Sequence, residues 1–324
     1  MASEELKTVL ELVGSADLGT LTLQERRALM GSAGAPATVG TRVERADADG
    51  VAAEWVIAAG VTGERVLLFF HGGAYHMGSP AGLRSLHVLM SAAASARVLS
   101  AGYRLAPEHP FPAAVEDALT AYRWLVAGGT DARQIVIGGN SSGGGLALAA
   151  LVALRDAGDP LPGAAVVISP WTDLDLAGES LRTRAAADVM LTPDGAREAA
   201  DWYLAGQDPR HPYASPLYAD LRGLPPILIQ AGDAEILRDD STRFAAAAQA
   251  AGVDVTLEIW DEMPHVWHAF AGLLPEADQA IERIGAWLGE HGVRSAKPGA
   301  VAASVPVVTR SARRRGRGRG RTAG

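Results

Sequence analysis

Five consecutive residues, Gly139-Asn140-Ser141-Ser142-Gly143, set a serine between two glycines in the pattern G-x-S-x-G. In a chain with 37 glycines and no cysteine such a match is weak alone, but the absence of thiols leaves Ser, Thr, Lys or a carboxylate as nucleophile. Context strengthens the match. Residues Gln134–Ile137 read as a strand and Gly144–Ala157 as a helix, the strand–turn–helix setting that presents a serine Oγ at the top of a sheet. In so tight a turn, side chains two residues either side of the serine would clash, and glycine removes them. The helix start that follows favours developing negative charge at Ser141. Ser142 is the rival nucleophile, one residue off the motif centre. A Walker P-loop would need Lys-Ser/Thr after its last glycine, and a dinucleotide-binding G-x-G-x-x-G is also missing.

A serine attacking a carbonyl creates an oxyanion, which needs fixed N–H donors worth about 3–4 kcal/mol each. His71-Gly72-Gly73-Ala74 follows directly on the apolar run Val66–Phe70. The N–H groups of Gly72 and Gly73, with that of Ser142, are the expected oxyanion hole. Serine also needs a base, and the base an acid, in the chain order Ser, acid, His. His265 follows the run Val255–Trp260 in a loop, where a base belongs, and His268 is its rival three residues on. The acid is expected after Pro226–Gln230, where Asp233, Glu235, Asp239 and Asp240 all qualify by position.

These residues need a scaffold. Apolar runs at Arg65–Phe70, Arg97–Tyr103, Gln134–Ile137, Ala164–Ser169, Pro226–Gln230 and Val255–Trp260 alternate with helical patterns such as Pro80–Ala96, Ala113–Val126, Leu146–Ala157 and Asp240–Ala251. Short buried runs separated by helices predict an α/β fold with a mostly parallel sheet covered on both faces. With a hairpin over Val43–Ile57, broken at Asp49-Gly50, the sheet counts about eight strands. A helical stretch over roughly Glu4–Met30 precedes it. Residues 171–222 hold no strand-like run and read as an insertion, which with residues 1–40 would lie as a lid over the sheet's C-terminal edge. The core is then 41–170 and 223–296. Trp202 and Tyr203, on a helical piece of the insertion, are candidates to line the pocket.

Seven arginines and no acid fall between Arg310 and Arg321, so of the net charge of −8 the rest of the chain carries −15. An acidic body argues against a nucleic-acid-binding core. Residues 297–324 read as a disordered Arg/Gly-rich tail, and no nucleic-acid partner is expected. A charged N-terminal segment and no long apolar run predict a cytoplasmic protein without a membrane span.

The motifs together resemble the hormone-sensitive-lipase-like family of microbial esterases. The matching stretches are HGGA at 71–74, YRLAPEHPFPAAVEDA at 103–118, GNSSGGGLA at 139–147, SPWTDL at 169–174, ILRDD at 236–240 and the His265 loop. The likeness spans about residues 5–290. It implies an α/β-hydrolase core of eight strands, a helical cap, no cofactor, and hydrolysis of small, short-chain carboxylic esters. Lactone, amide or acetyl hydrolysis and a non-catalytic binding role are the alternatives on the same fold. The family triad carries over onto Ser141, His265 and Glu235, where the family usually has Asp. Asn140 and Ser142 stand where Asp and Ala are usual, and MPHVWH replaces the more frequent His-Gly-Phe pattern. The resemblance also makes Val255–Trp260 a candidate edge for a homodimer.

Overall fold

The computed structural model describes residues 3–14, 20–32 and 40–291. Eight strands form one sheet: β1 (Arg42–Ala48), β2 (Val51–Ile57), β3 (Val66–Phe70), β4 (Arg97–Ala101), β5 (Ile135–Asn140), β6 (Ala164–Ile168), β7 (Ile227–Gly232) and β8 (Val255–Trp260). Their order is β1-β2-β4-β3-β5-β6-β7-β8. Strand β2 pairs antiparallel with both β1 and β4, and every neighbouring pair from β4 to β8 is parallel. This is the α/β-hydrolase architecture read from the sequence.

Strand β3 shows why the sheet is central. Its side chains alternate between two cores, as a period of two requires. Val66, Leu68 and Phe70 enter the core shared with α4 (Ala113–Ala127), α5 (Ser142–Ala157) and α8 (Arg238–Ala250). Leu67 and Phe69 enter the opposite core, shared with α3 (Arg84–Ala94) and α9 (Pro275–Glu290). All five residues are fully buried, each contributing about 1.5–3 kcal/mol by leaving water.

The N-terminal stretch is two helices rather than one, α1 (Glu4–Gly14) and α2 (Leu23–Gly31), with 15–19 outside the described residues. Thr22 starts α2 with a reciprocal capping box: its N–H reaches the Glu25 carboxylate at 2.8 Å and its hydroxyl accepts from the Glu25 N–H at 3.3 Å. A single periodic stretch could not contain that cap, which marks a fresh helix start. Leu6 and Val9 of α1 pack against Met263 and Trp267, beside the loop that carries His265.

Between β6 and β7 lie only helical elements: α6 (Ser180–Thr183), α7 (Pro193–Leu204) and a 3₁₀ turn at Pro216–Tyr218. Among the described residues no helix is long and apolar enough to cross a membrane. The tail at 297–324 lies outside the described residues.

Candidate active site

Strand β5 delivers Ser141 and α5 carries the chain away from it. Ser141 itself has φ 54° and ψ −126°, a conformation costing about 1–3 kcal/mol. The surroundings enforce it: the Ser141 N–H donates to Ile168 O at 2.9 Å, and its carbonyl accepts from Gly145 and Trp171 N–H at 3.1 and 3.0 Å. A Cβ on Gly143 would lie 2.1 Å from Phe70 O, and one on Gly139 2.2 Å from Gly143 O. Both motif glycines are therefore steric requirements of the turn.

His265 comes from the loop after β8 and places Nε2 2.9 Å from Ser141 Oγ. Its Nδ1 pairs with Glu235 Oε2, which is fully buried. A carboxylate offers only acceptors, so Nδ1 carries the hydrogen and Nε2 is free to accept from the serine. Glu235 Oε1 accepts the Gly232 N–H at 2.8 Å, fixing the acid against the end of β7. Burial disfavours the charged imidazole of His265, but the charge and hydrogen bond of Glu235, with the charge of Asp188, outweigh it and raise its pKa.

The rivals sit elsewhere. His268 is fully buried with Nε2 2.7 Å from Gln230 Oε1, and burial pushes its pKa down to about 3. Asp233 is ion-paired with Arg184 and Arg238, both at 2.9 Å. Asp240 accepts the N–H groups of Thr172 and Asp173, and Asp239 that of Ser180. Of the four acids that position allowed, geometry brings only Glu235 to His265.

The oxyanion side needs one correction. The Gly72 N–H already donates to Asn140 Oδ1 at 3.0 Å, so it does not face a substrate. Among the described residues the N–H groups of Gly73, Ala74 and Ser142 have no protein acceptor. Gly73 and Ala74 adopt φ of 122° and 52°, which turns the loop after β3 at this point. Asn140, which stands where the family usually has Asp, thus holds that loop in place. His71 stiffens it from the other side: it is stacked on Tyr103 at 4.4 Å, Nδ1 lies 2.8 Å from Gly72 O, and Tyr103 donates to His71 O at 2.8 Å. Burial lowers the His71 pKa to about 4 despite that Gly72 contact, so its ring stays neutral and Nδ1 donates.

A cavity of about 860 Å³ opens over Ser141. Ala74, Met77, Trp171 and Leu237 line it near the serine, and Asp188–Thr192 from the insertion with Arg26 of α2 enclose it. Trp202 and Tyr203 are not among the lining residues. Tyr203 is stacked on Tyr75 at 3.8 Å, and Trp202 meets the His76 ring edge-on at 5.0 Å. Both large aromatics pack the insertion onto the core. The wall at 188–192 carries no periodicity or motif, so the sequence held no signal for it. Among the described residues no three His, Cys, Asp or Glu side chains converge as a metal site.

The fold and its family have close counterparts among known proteins. The family described as alpha/beta hydrolase fold matches residues 67–269. An acetyl-hydrolase of Streptomyces hygroscopicus is 47% identical over 300 residues, covering 89% of this chain and 97% of that one. The crystal structure of an esterase from the bacterial hormone-sensitive lipase family superposes with a TM-score of 0.87 at 47% identity, covering 90% of this chain and 99% of the other. Esterase EstE5, soaked with p-nitrophenyl butyrate, superposes with a TM-score of 0.86 at 46% identity and the same coverage. The chain belongs to the alpha/beta-hydrolase family, among the ester hydrolases of its bacterial hormone-sensitive-lipase branch.

Proposed function

We propose that Ser141, His265 and Glu235 hydrolyse small, short-chain carboxylic esters through an acyl-enzyme on Ser141. The observation that carries this reading is the continuous contact from Ser141 Oγ through His265 to buried Glu235 at the floor of the cavity. Ser141 Oγ attacks the ester carbonyl while His265 Nε2 takes its proton. Glu235 holds the imidazole in the productive tautomer and stabilises the imidazolium. The N–H groups of Gly73, Ala74 and Ser142 receive the oxyanion. His265 then protonates the departing alcohol, and water attacks the acyl-enzyme by the same route in reverse.

The relative named acetyl-hydrolase and the neighbour soaked with a butyrate ester favour short acyl groups. Removal of an acetyl group is the second reading, since it uses the same acyl-enzyme. We assign 1–40 and 171–222 to a cap and 41–170 with 223–296 to the core, because the insertion and α2 enclose the cavity above Ser141. A homodimer through β8, which ends the sheet, and a cytoplasmic location complete the proposal. Light scattering and cell fractionation test those two.

The test of activity is hydrolysis of p-nitrophenyl esters of increasing acyl length beside Ser141→Ala. The proposal expects turnover that falls with chain length and a loss of about a thousandfold or more in the variant. Equal inactivity of both proteins on every ester would refute it.

A further inference from the structure

The insertion holds Ile236 of the acid loop by both its N–H and its carbonyl. Ile236, which follows Glu235, has its N–H bound to Asp188 Oδ2 at 2.8 Å and its carbonyl bound by the Ser180 hydroxyl at 2.6 Å. Both partners belong to the insertion, 48 and 56 positions away in sequence. The other oxygen of Asp188 accepts the N–H groups of Met190 and Leu191, both at 2.9 Å, and these residues form the cavity wall. Asp188 is itself buried and lines the same cavity as Ser141.

Three backbone donors on two segments therefore share one carboxylate. Building on the esterase reading above, we infer that Asp188 is a positioning residue that locks the pocket wall at Val189–Leu191 to the loop carrying Glu235, so that substrate pocket and triad acid are set as one unit. Only a carboxylate has acceptors on both oxygens; an amide satisfies one segment and turns N–H groups at the other. A buried N–H left facing a donor forces that segment to move. The negative charge has a second consequence. With Glu235 it favours the protonated form of His265, the partner that must carry positive charge in the transition state. The other charged or titratable groups lining the cavity are Arg26, His76, Asp194 and Glu198, of which Arg26 and Glu198 face each other at 3.6 Å.

The inference separates Asp188 from a purely structural clamp, and Ser180 supplies the contrast. Ser180→Ala removes the uncharged half of the grip on Ile236, whereas Asp188→Asn alters the charged half and the wall. The experiment measures kcat and KM against pH for wild type, Asp188→Asn, Ser180→Ala and Ser141→Ala on p-nitrophenyl acetate and butyrate. Rates of wild type, Asp188→Asn and Ser180→Ala are normalised to active sites titrated with a fluorophosphonate, so that misfolded protein is not counted. Ser141→Ala, which takes no label, gives the background rate at equal protein concentration.

Asp188→Asn is expected to lower kcat about tenfold per titrated site and to move the acid limb of kcat/KM to lower pH by about half a unit, because a neighbouring negative charge is lost. It is also expected to narrow the difference in KM between acetate and butyrate. Ser180→Ala is expected to leave the limb where it is. An Asp188→Asn profile that superimposes on wild type, with kcat within twofold, overturns the inference and leaves the esterase reading intact. A shift of equal size in Ser180→Ala also overturns it, since loss of the clamp alone would then explain the effect. Wild-type protein that neither turns over ester nor takes the label overturns the parent reading, and this inference with it.

Discussion

The turn at 139–143 and the wall at 188–192 both border the same cavity, yet they are built by opposite means. The turn is fixed by its own backbone: two glycines, a positive φ at Ser141 and the backbone of Phe70, His71 and Gly143, which leaves no room for Cβ atoms. The wall has no regular structure, and its shape depends on Asp188, whose bonds reach across to Ile236. The first region specifies chemistry through local sterics, and the second specifies fit through a distant contact. The difference predicts that changes at the turn act mainly on turnover, whereas changes in the pocket-facing side chains of the wall act mainly on the balance among substrates.

The sharpest break comes from the acid. Glu235→Gln leaves one acceptor oxygen for two donors, the Gly232 N–H and His265 Nδ1, so the His265 tautomer is no longer fixed and the charge is lost. A fall of about a thousandfold or more in kcat is expected by stopped assay. Its counterpart Asp233→Asn loses two half-exposed ion pairs and should cost at most about 1 kcal/mol in chemical denaturation, with kcat per active site retained. Asn140→Ala releases the Gly72 N–H and loosens the loop that carries the Gly73 and Ala74 donors. A fall in kcat of about ten- to a hundredfold, with little change in KM, is expected, short of the full loss of a donor.

The pH profile sharpens the comparison further. His265 must be neutral to act as base, and its pKa is raised, so kcat/KM should fall as pH drops through a value above about 6.5. In Glu235→Gln the residual activity should keep its acid limb at lower pH, because the raising charge is gone. The smallest effects belong to the wall: Met190→Ala should change the ratio of kcat/KM between butyrate and acetate esters by about threefold to tenfold. Trp202→Ala should leave that ratio alone while lowering the melting temperature, since Trp202 packs on His76 and does not line the cavity.

The same contrast explains what the sequence could reveal. The strands, the hairpin at Asp49-Gly50, Ser141 and His265 were legible because period and glycine spacing report local constraints. Glu235 was one of four acids by spacing, and only the family likeness singled it out. Burial of Asp240, the ion pairs of Asp233 and the bonds of Asp239 to the insertion are tertiary facts that no spacing encodes. Gly72 was misread for the same reason, since its N–H is taken by a side chain 68 positions away. Trp202 and Tyr203 resemble pocket residues by type, but the stacking of Tyr203 on Tyr75 and the edge-on contact of Trp202 with His76 claim them for packing.

The central claim is that one serine, activated by one histidine, forms the acyl-enzyme. Intact-mass and peptide mapping after treatment with a fluorophosphonate test it most directly. The account predicts a single adduct on Ser141, absent in Ser141→Ala and formed much more slowly in His265→Ala. An adduct on Ser142, or labelling at an unchanged rate without His265, would contradict it.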